Sequence, residues 1–140
     1  MILTCNFEEV TALTHGARAF LSERAESGSP VVAPCETWGA VESLLSQLSG
    51  DLSVRTLLDQ RQLFLAVEAV VELLRAEMDS GVVATHAASE EAVSAYFEYA
   101  HALSVMGRVR EMGQEMSALV ELMTGALPDD AMTRTFVFPD

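Results

Sequence analysis

The segment LLDQRQLFLAVEAVVELLRAEM, residues 57–78, is apolar on almost every side when it is wound into a helix. At about 100° per residue, most of its charges, together with the Asp79 that follows, fall in one narrow polar line. The polar line consists of Arg61, Glu68, Glu72, Arg75 and Asp79. Only Asp59 and Glu77 fall off it. A helix that is apolar nearly all round must be covered nearly all round, so this segment is either the central helix of the domain or one face of a subunit contact.

Three further helices are predicted around this one. Asn6, with Glu9 three residues later, forms a capping box that begins a helix reaching about Arg24. Apolar residues repeat at helical spacing again over residues 38–48, and Gly50 is a plausible stop. Ser89 is predicted to cap the last helix, with Glu90 and Glu91 in its first turn.

The bounds of the two long helices are predicted from caps and breakers. Asp51 or Ser53 is expected to cap the apolar helix, which ends near Met78. The last helix reaches about Met123, with Gly107 and Gly113 as weak points. Its predicted buried stripe has spacings of four and three and consists of Val105, Val109, Met112, Met116, Leu119 and Met123.

Short strands are predicted at residues 1–6, 31–33 and 133–139, where the last of these alternates apolar and polar side chains. A small sheet formed from them would join the two chain ends and would either pack on the helices or continue across a dimer. The predicted fold is therefore a mainly α, four-helix bundle-like single domain over residues 1–140. It has a central apolar helix and a minor sheet of short terminal strands.

Charge excludes several partners. The chain has 21 acidic and 8 basic residues, which gives a net charge of −13. Nucleic acid and anionic membrane surfaces are therefore not expected as partners. The N-terminus has no basic segment ahead of an apolar run, which predicts a cytoplasmic protein. All eight basic residues are Arg, and Ile and Asn occur once each, which suggests a GC-rich, bacterial genome.

The sharpest candidate for chemistry is Glu98-Tyr99-Ala100-His101 in the last helix. A Glu-x-x-His pair puts both side chains one turn apart on one helix face, and both lie near the apolar stripe that contains Val105. With Glu68 on the preceding helix, the set resembles the ligands of ferritin-like carboxylate proteins, which implies a site for iron or another divalent metal. This resemblance covers three residues.

A structural role is the other interpretation of Glu98 and His101. Glu68 lies on the polar line, where ion pairs one and two turns apart are typical of a solvated face. We therefore predict no cofactor as the first interpretation, with Glu98, His101 and Glu68 as metal ligands in the alternative. His15 lies away from the apolar stripe of its helix and is expected to be exposed.

Two further features have both a functional and a structural interpretation. Cys35 follows Pro34 at a predicted helix N-terminus, where the macrodipole lowers a thiol pKa, but most free cysteines are small buried residues. Methionines concentrate in the last helix, which suits either an adaptable binding face or core filling. We found no Gly-rich phosphate loop and no serine nucleophile elbow in the sequence.

The predicted function is a non-catalytic protein-interaction or assembly module that forms a homo-oligomer. Half of the residues are hydrophobic, which is high for a small domain and favours a shared surface. The first alternative is the ferritin-like metal-binding protein. The second is a small acidic chaperone or adaptor that binds a basic or apolar segment of another protein.

Overall fold

A computed structural model describes residues 1–26, 35–85, 90–124 and 137–138. Most of these residues are helical, in four helices that pack together, beside a small two-stranded antiparallel sheet. In chain order the elements are β1 (Ile2–Leu3), α1 (Phe7–Glu26), α2 (Cys35–Gln47), β2 (Leu52–Ser53), α3 (Leu57–Thr85) and α4 (Glu90–Thr124). The predicted mainly helical fold with a minor sheet is confirmed.

Helix α3 is the centre of the bundle. It packs against α1, α2 and α4. Ala66, Val67 and Val70 are fully buried, and all five residues of the polar line are exposed. Leu65 and Leu73, on the side opposite the most buried residues, are partly buried and pack against the core. The predicted all-round cover of this helix therefore comes from the other three helices.

The capping box at the start of α1 is formed as predicted. The backbone N–H of Glu9 donates to Asn6 Oδ1 at 2.8 Å, and the backbone N–H of Asn6 donates to Glu9 Oε1 at 2.9 Å. These two bonds satisfy backbone donors that the first turn of a helix leaves without partners. They fix the point at which the chain turns from β1 into α1.

The predicted start of α3 was wrong. The helix is capped by Thr56, whose hydroxyl accepts from the N–H of Asp59 at 3.1 Å, while Asp59 accepts from the N–H of Thr56 at 3.2 Å. Ser53 is the last residue of β2 and Asp51 directly precedes that strand, so both lie before Thr56 in the sequence. The C-terminal bound also differs, since α3 continues to Thr85 and Gly81 does not end it.

Strand β1 pairs with β2, the segment between α2 and α3, with Ile2 opposite Ser53 and Leu3 opposite Leu52. The N-terminal amino group also donates to Val54 O at 2.8 Å. From the other end of the chain, Phe138 is buried and its N–H donates to Arg55 O at 2.7 Å. Both described chain ends therefore reach the segment before α3. The predicted strand at residues 31–33 and most of that at 133–139 lie outside the described residues.

The buried stripe of α4 differs from the prediction near its C-terminal end. Val105, Val109 and Met116 are fully buried and Met112 nearly so, as predicted. Leu119 and Met123, however, are exposed. Val120 is fully buried in their place, because the contact line continues from Met116 by a step of four residues. Among the described residues, no helix has the length and hydrophobicity that a membrane span requires.

Candidate functional site

Three helices each place one potential metal-ligating side chain at a common point on the surface. His15 comes from α1, Glu77 from α3 and Glu98 from α4. One ligand atom of each residue lies within 4.8 Å of the other two. His15 Nε2 is 3.5 Å from Glu77 Oε2, and His15 Nδ1 is 3.7 Å from Glu98 Oε1. We call this set the imidazole–carboxylate cluster.

The cluster is open to solvent but not equally at each residue. The side chains of His15, Glu77 and Glu98 are 49%, 41% and 26% exposed. A ligand could therefore enter without rearrangement of the helices. The Glu98 carboxylate is the most shielded because it lies on the side of α4 that faces the other helices, as its helical position predicts.

The sequence alone shows that two of the three cluster residues occupy unusual positions on their helices. Glu77 departs from the polar line of α3, and Glu98 lies close to the buried stripe of α4. His15 was expected to be exposed, which it is, but its contacts with two carboxylates were not foreseen. Helical angles place a residue on its own helix, but they do not give the register between helices far apart in sequence.

The other two predicted ligands lie elsewhere. Glu68 is exposed on the polar line, and His101 is partly buried one turn after Glu98. In the part of the chain that the structure describes, the three-residue cluster combines Glu98 with His15 and Glu77, and neither Glu68 nor His101 belongs to it. Metal binding by Glu98, His101 and Glu68 stays a prediction.

A second feature is the solvent-facing side of α4. Residues 93, 96, 100, 103 and 107 follow spacings of three and four, and they lie about 160° to 240° around the helix from the fully buried Val105. The residues are Val93, Tyr96, Ala100, Leu103 and Gly107, and we call them the outer stripe. Its three large side chains are between 39% and 56% exposed.

The outer stripe is bordered by Phe97 and bears no charge. Phe97 is exposed and its ring meets the Tyr96 ring edge-on, with centroids 5.8 Å apart. From residue 92 to residue 107 the sequence has one carboxylate, Glu98, and neither Lys nor Arg. Since Glu98 lies on the opposite side of α4, the outer face of this segment is uncharged in a strongly acidic chain.

The stripe ends where polar side chains continue its spacing. Arg110 and Gln114 occupy the next two positions, and both line an open groove of about 750 Å³ between α3 and α4. The Arg110 guanidinium lies 5.5 Å from the centroid of the Phe64 ring, within the range of a cation–π contact. The outer stripe is therefore limited to the N-terminal half of α4, and the exposed Leu119, Leu122 and Met123 lie separately near the C-terminal end of the helix.

The N-terminal segment and the first turn of α1 are joined to α4 by the partly buried side chain of Arg108. Arg108 donates to the buried Glu9 carboxylate and, through Nη1, to Thr4 O at 2.7 Å. Cys5 lies beside this pair. Burial raises the pKa of the Cys5 thiol, and the Glu9 carboxylate adds to the rise while the Arg108 guanidinium opposes it. The thiol is therefore a poor nucleophile near neutral pH.

The second cysteine, Cys35, is the first residue of α2, as predicted for a thiol at a helix N-terminus. Its side chain lies outside the described part of the chain. The functional interpretation of this thiol therefore stays a prediction.

Comparison with known proteins does not assign the chain to a class. It matches no protein-family model, no curated protein and no solved structure. The imidazole–carboxylate cluster and the outer stripe are therefore the two features of the described residues from which a function is inferred.

Proposed function

We propose that the protein is a non-catalytic assembly module that forms a homo-oligomer through the outer stripe of α4. The observation that supports this most is the exposed, uncharged face from Val93 to Gly107. Large exposed apolar patches in soluble proteins are typical of interaction sites, and aromatic side chains are enriched at interface cores. The Tyr96–Phe97 pair supplies such aromatic area.

The spacing of the stripe favours a helix as its partner. Apolar residues at alternating steps of three and four form the seam along which two helices pack in coiled coils. The stripe extends over 15 residues, from Val93 to Gly107, and its ends lie about 21 Å apart along the helix, which is about four turns. Small residues, Ala100 and Gly107, alternate with large ones, and this allows a partner helix to approach closely.

A second copy of the chain is the partner that the charge distribution favours. Each chain has a net charge of −13, so two copies repel wherever acidic faces meet. Contact through the uncharged outer stripe avoids placing carboxylates opposite one another. Such a contact can be self-complementary, as the two-fold symmetry of most dimers requires.

The proposal is tested by introducing a carboxylate into the stripe. We expect wild-type protein to be a dimer or larger oligomer at micromolar concentration, and Leu103→Glu to be a monomer, since a desolvated charge in an apolar contact is costly. Light scattering coupled to size-exclusion chromatography measures both masses. Circular dichroism should show that the variant remains helical.

Phe7→Glu is the matched control. Phe7 is also exposed and apolar, but it lies at the start of α1 and does not belong to the stripe. This variant should keep the wild-type mass. A monomeric wild-type protein, or an oligomer whose mass is the same in Leu103→Glu, would overturn the proposal.

Ionic strength separates this proposal from the acidic chaperone or adaptor. A contact between two acidic copies tightens as salt screens their repulsion, whereas binding to a basic segment of another protein weakens. In the chaperone or adaptor alternative, a surface of this chain binds a segment of another protein instead of a second copy of the chain. An association that weakens as salt rises would favour the adaptor.

A further inference from the structure

We propose that His15, Glu77 and Glu98 form a binding site for one divalent transition-metal ion. The three side chains come from α1, α3 and α4, so a bound ion would link three helices of the bundle. The site shares only Glu98 with the predicted Glu98, His101 and Glu68 set. It is independent of the outer stripe, which lies on the opposite side of α4.

The arrangement around the imidazole is the first reason. Each ring nitrogen of His15 faces a carboxylate oxygen, Glu77 at 3.5 Å and Glu98 at 3.7 Å. A neutral imidazole has one N–H and one lone pair, so in either tautomer one carboxylate faces a lone pair. Two carboxylates then share one donor. A cation at this point, either a metal ion or a second proton on the ring, would remove the repulsion.

The ligand distances are the second reason. Bonds of about 2.0–2.2 Å from Zn²⁺ to nitrogen and oxygen place neighbouring ligands of a tetrahedral ion about 3.4 Å apart. The distances from Nε2 to Glu77 and from Nδ1 to Glu98 are each close to this value, so either carboxylate can share one ion with the ring nitrogen that it faces. A single ion binds only one of the two ring nitrogens. The carboxylate that faces the other nitrogen must therefore rotate toward the ion. The exposed side chains allow that rotation, because all three ligand atoms already lie within 4.8 Å.

The ligand set also limits the choice of metal. An imidazole with two carboxylates suits zinc, iron or manganese, whereas magnesium prefers oxygen ligands and retains several waters. Three protein ligands leave a coordination position open to water. Such an ion would stabilise the contact among the three helices, because binding to the folded state alone stabilises that state.

Zinc titration tests the site. Isothermal titration calorimetry with ZnCl₂ is carried out on protein in which Cys5 and Cys35 are replaced by Ser, so that thiols do not bind the ion. We expect one Zn²⁺ per chain and a rise in melting temperature. His15→Ala should weaken binding by about tenfold or more, because it removes the nitrogen ligand.

His101→Ala and Glu68→Gln are the matched controls. His101 is the histidine closest in sequence to Glu98, and Glu68 is an exposed carboxylate on α3, but neither belongs to the cluster. Both variants should bind zinc as the parent protein does, while Glu77→Gln should weaken binding. Three results would each overturn the proposal: no zinc binding by the parent, equal binding by His15→Ala, or loss of binding in His101→Ala with His15→Ala unaffected.

Discussion

The side chain of Gln60 occupies the space that a side chain on Gly113 would fill. Gln60 Nε2 donates to Val109 O at 2.9 Å, inside the contact between α3 and α4. A Cβ built on Gly113 would lie only 2.6 Å from Gln60 Cδ. The glycine, which weakens α4 by its own helix propensity, therefore permits a buried hydrogen bond between the two helices.

Gly113→Ala should lower the free energy of unfolding by about 1–2 kcal/mol. Overpacking of a filled contact costs about 1–3 kcal/mol, and the helix propensity of Ala offsets up to about 1 kcal/mol of this. Urea unfolding measures the difference. Gly39→Ala is the control, because a Cβ there meets nothing within 4 Å, and this variant should be as stable as wild type or slightly more stable. An equal increase in the free energy of unfolding in both variants would contradict the packing of Gln60 against Gly113.

Arg108→Ala should destabilise the protein by about 2–3 kcal/mol, since it leaves the buried Glu9 carboxylate without its cation. Arg110→Ala is the matched control two residues later. Arg110 is exposed, and the loss of its contact with Phe64 should cost about 1 kcal/mol or less. Chemical unfolding of both variants compares the costs. Equal destabilisation would show that the ion pair contributes nothing specific.

Reactivity of Cys5 should report its raised pKa. In a Cys35→Ser background, the rate of alkylation by iodoacetamide should increase with pH. The pH at the inflection should be higher than for cysteine in a short peptide, because burial disfavours the thiolate. An inflection at or below the peptide value would contradict this environment.

The same shift in pKa predicts a change in stability. The contribution of Cys5 is fully present below the pKa of the unfolded thiol and is lost as pH rises through the raised folded-state pKa. Unfolding free energies across the alkaline range should therefore fall more steeply for the protein with Cys5 than for Cys5→Ser. Parallel curves would exclude this linkage.

Association should strengthen as salt is added at low ionic strength. The Debye length falls to about 10 Å at 0.1 M salt, so repulsion between two chains of charge −13 is largely screened beyond the contact. Sedimentation equilibrium in a salt series measures the dissociation constant, which should decrease from low to moderate salt. A constant that increases over this range is incompatible with contact between two acidic copies.

Patterns within single helices predicted the fold well. The polar line located the exposed face of α3, and Asn6 with Glu9 located the start of α1, because both depend only on neighbouring residues. The start of α3 was missed because Asp51, Ser53 and Thr56 are all plausible caps. Strand β2 has two residues, which is too short for an alternating pattern to appear.

The imidazole–carboxylate cluster was less predictable. Glu98 was recognised as an acid near a buried stripe, but its nearest histidine in sequence is not its contact in space. His15 lies 83 residues earlier, and its approach to Glu98 depends on how α1 packs on α3 and α4. That packing includes the close contact between Gly16 and α3, where a Cβ would overlap Val70 and lie 3.4 Å from Leu74 Cγ. Spacing within one helix does not contain this information.

The distance between two α4 helices in solution tests the proposed assembly most directly. A spin label is attached at Ser104→Cys, beside the outer stripe, in protein in which Cys5 and Cys35 are Ser, and a second sample carries the label at Ser46→Cys on α2. Packed helices lie about 8–10 Å apart between axes. Pulsed dipolar spectroscopy should therefore give a short intermolecular distance for position 104 and a longer one for position 46. Absence of an intermolecular distance at position 104, or a shorter one at position 46, would contradict self-association through the outer stripe.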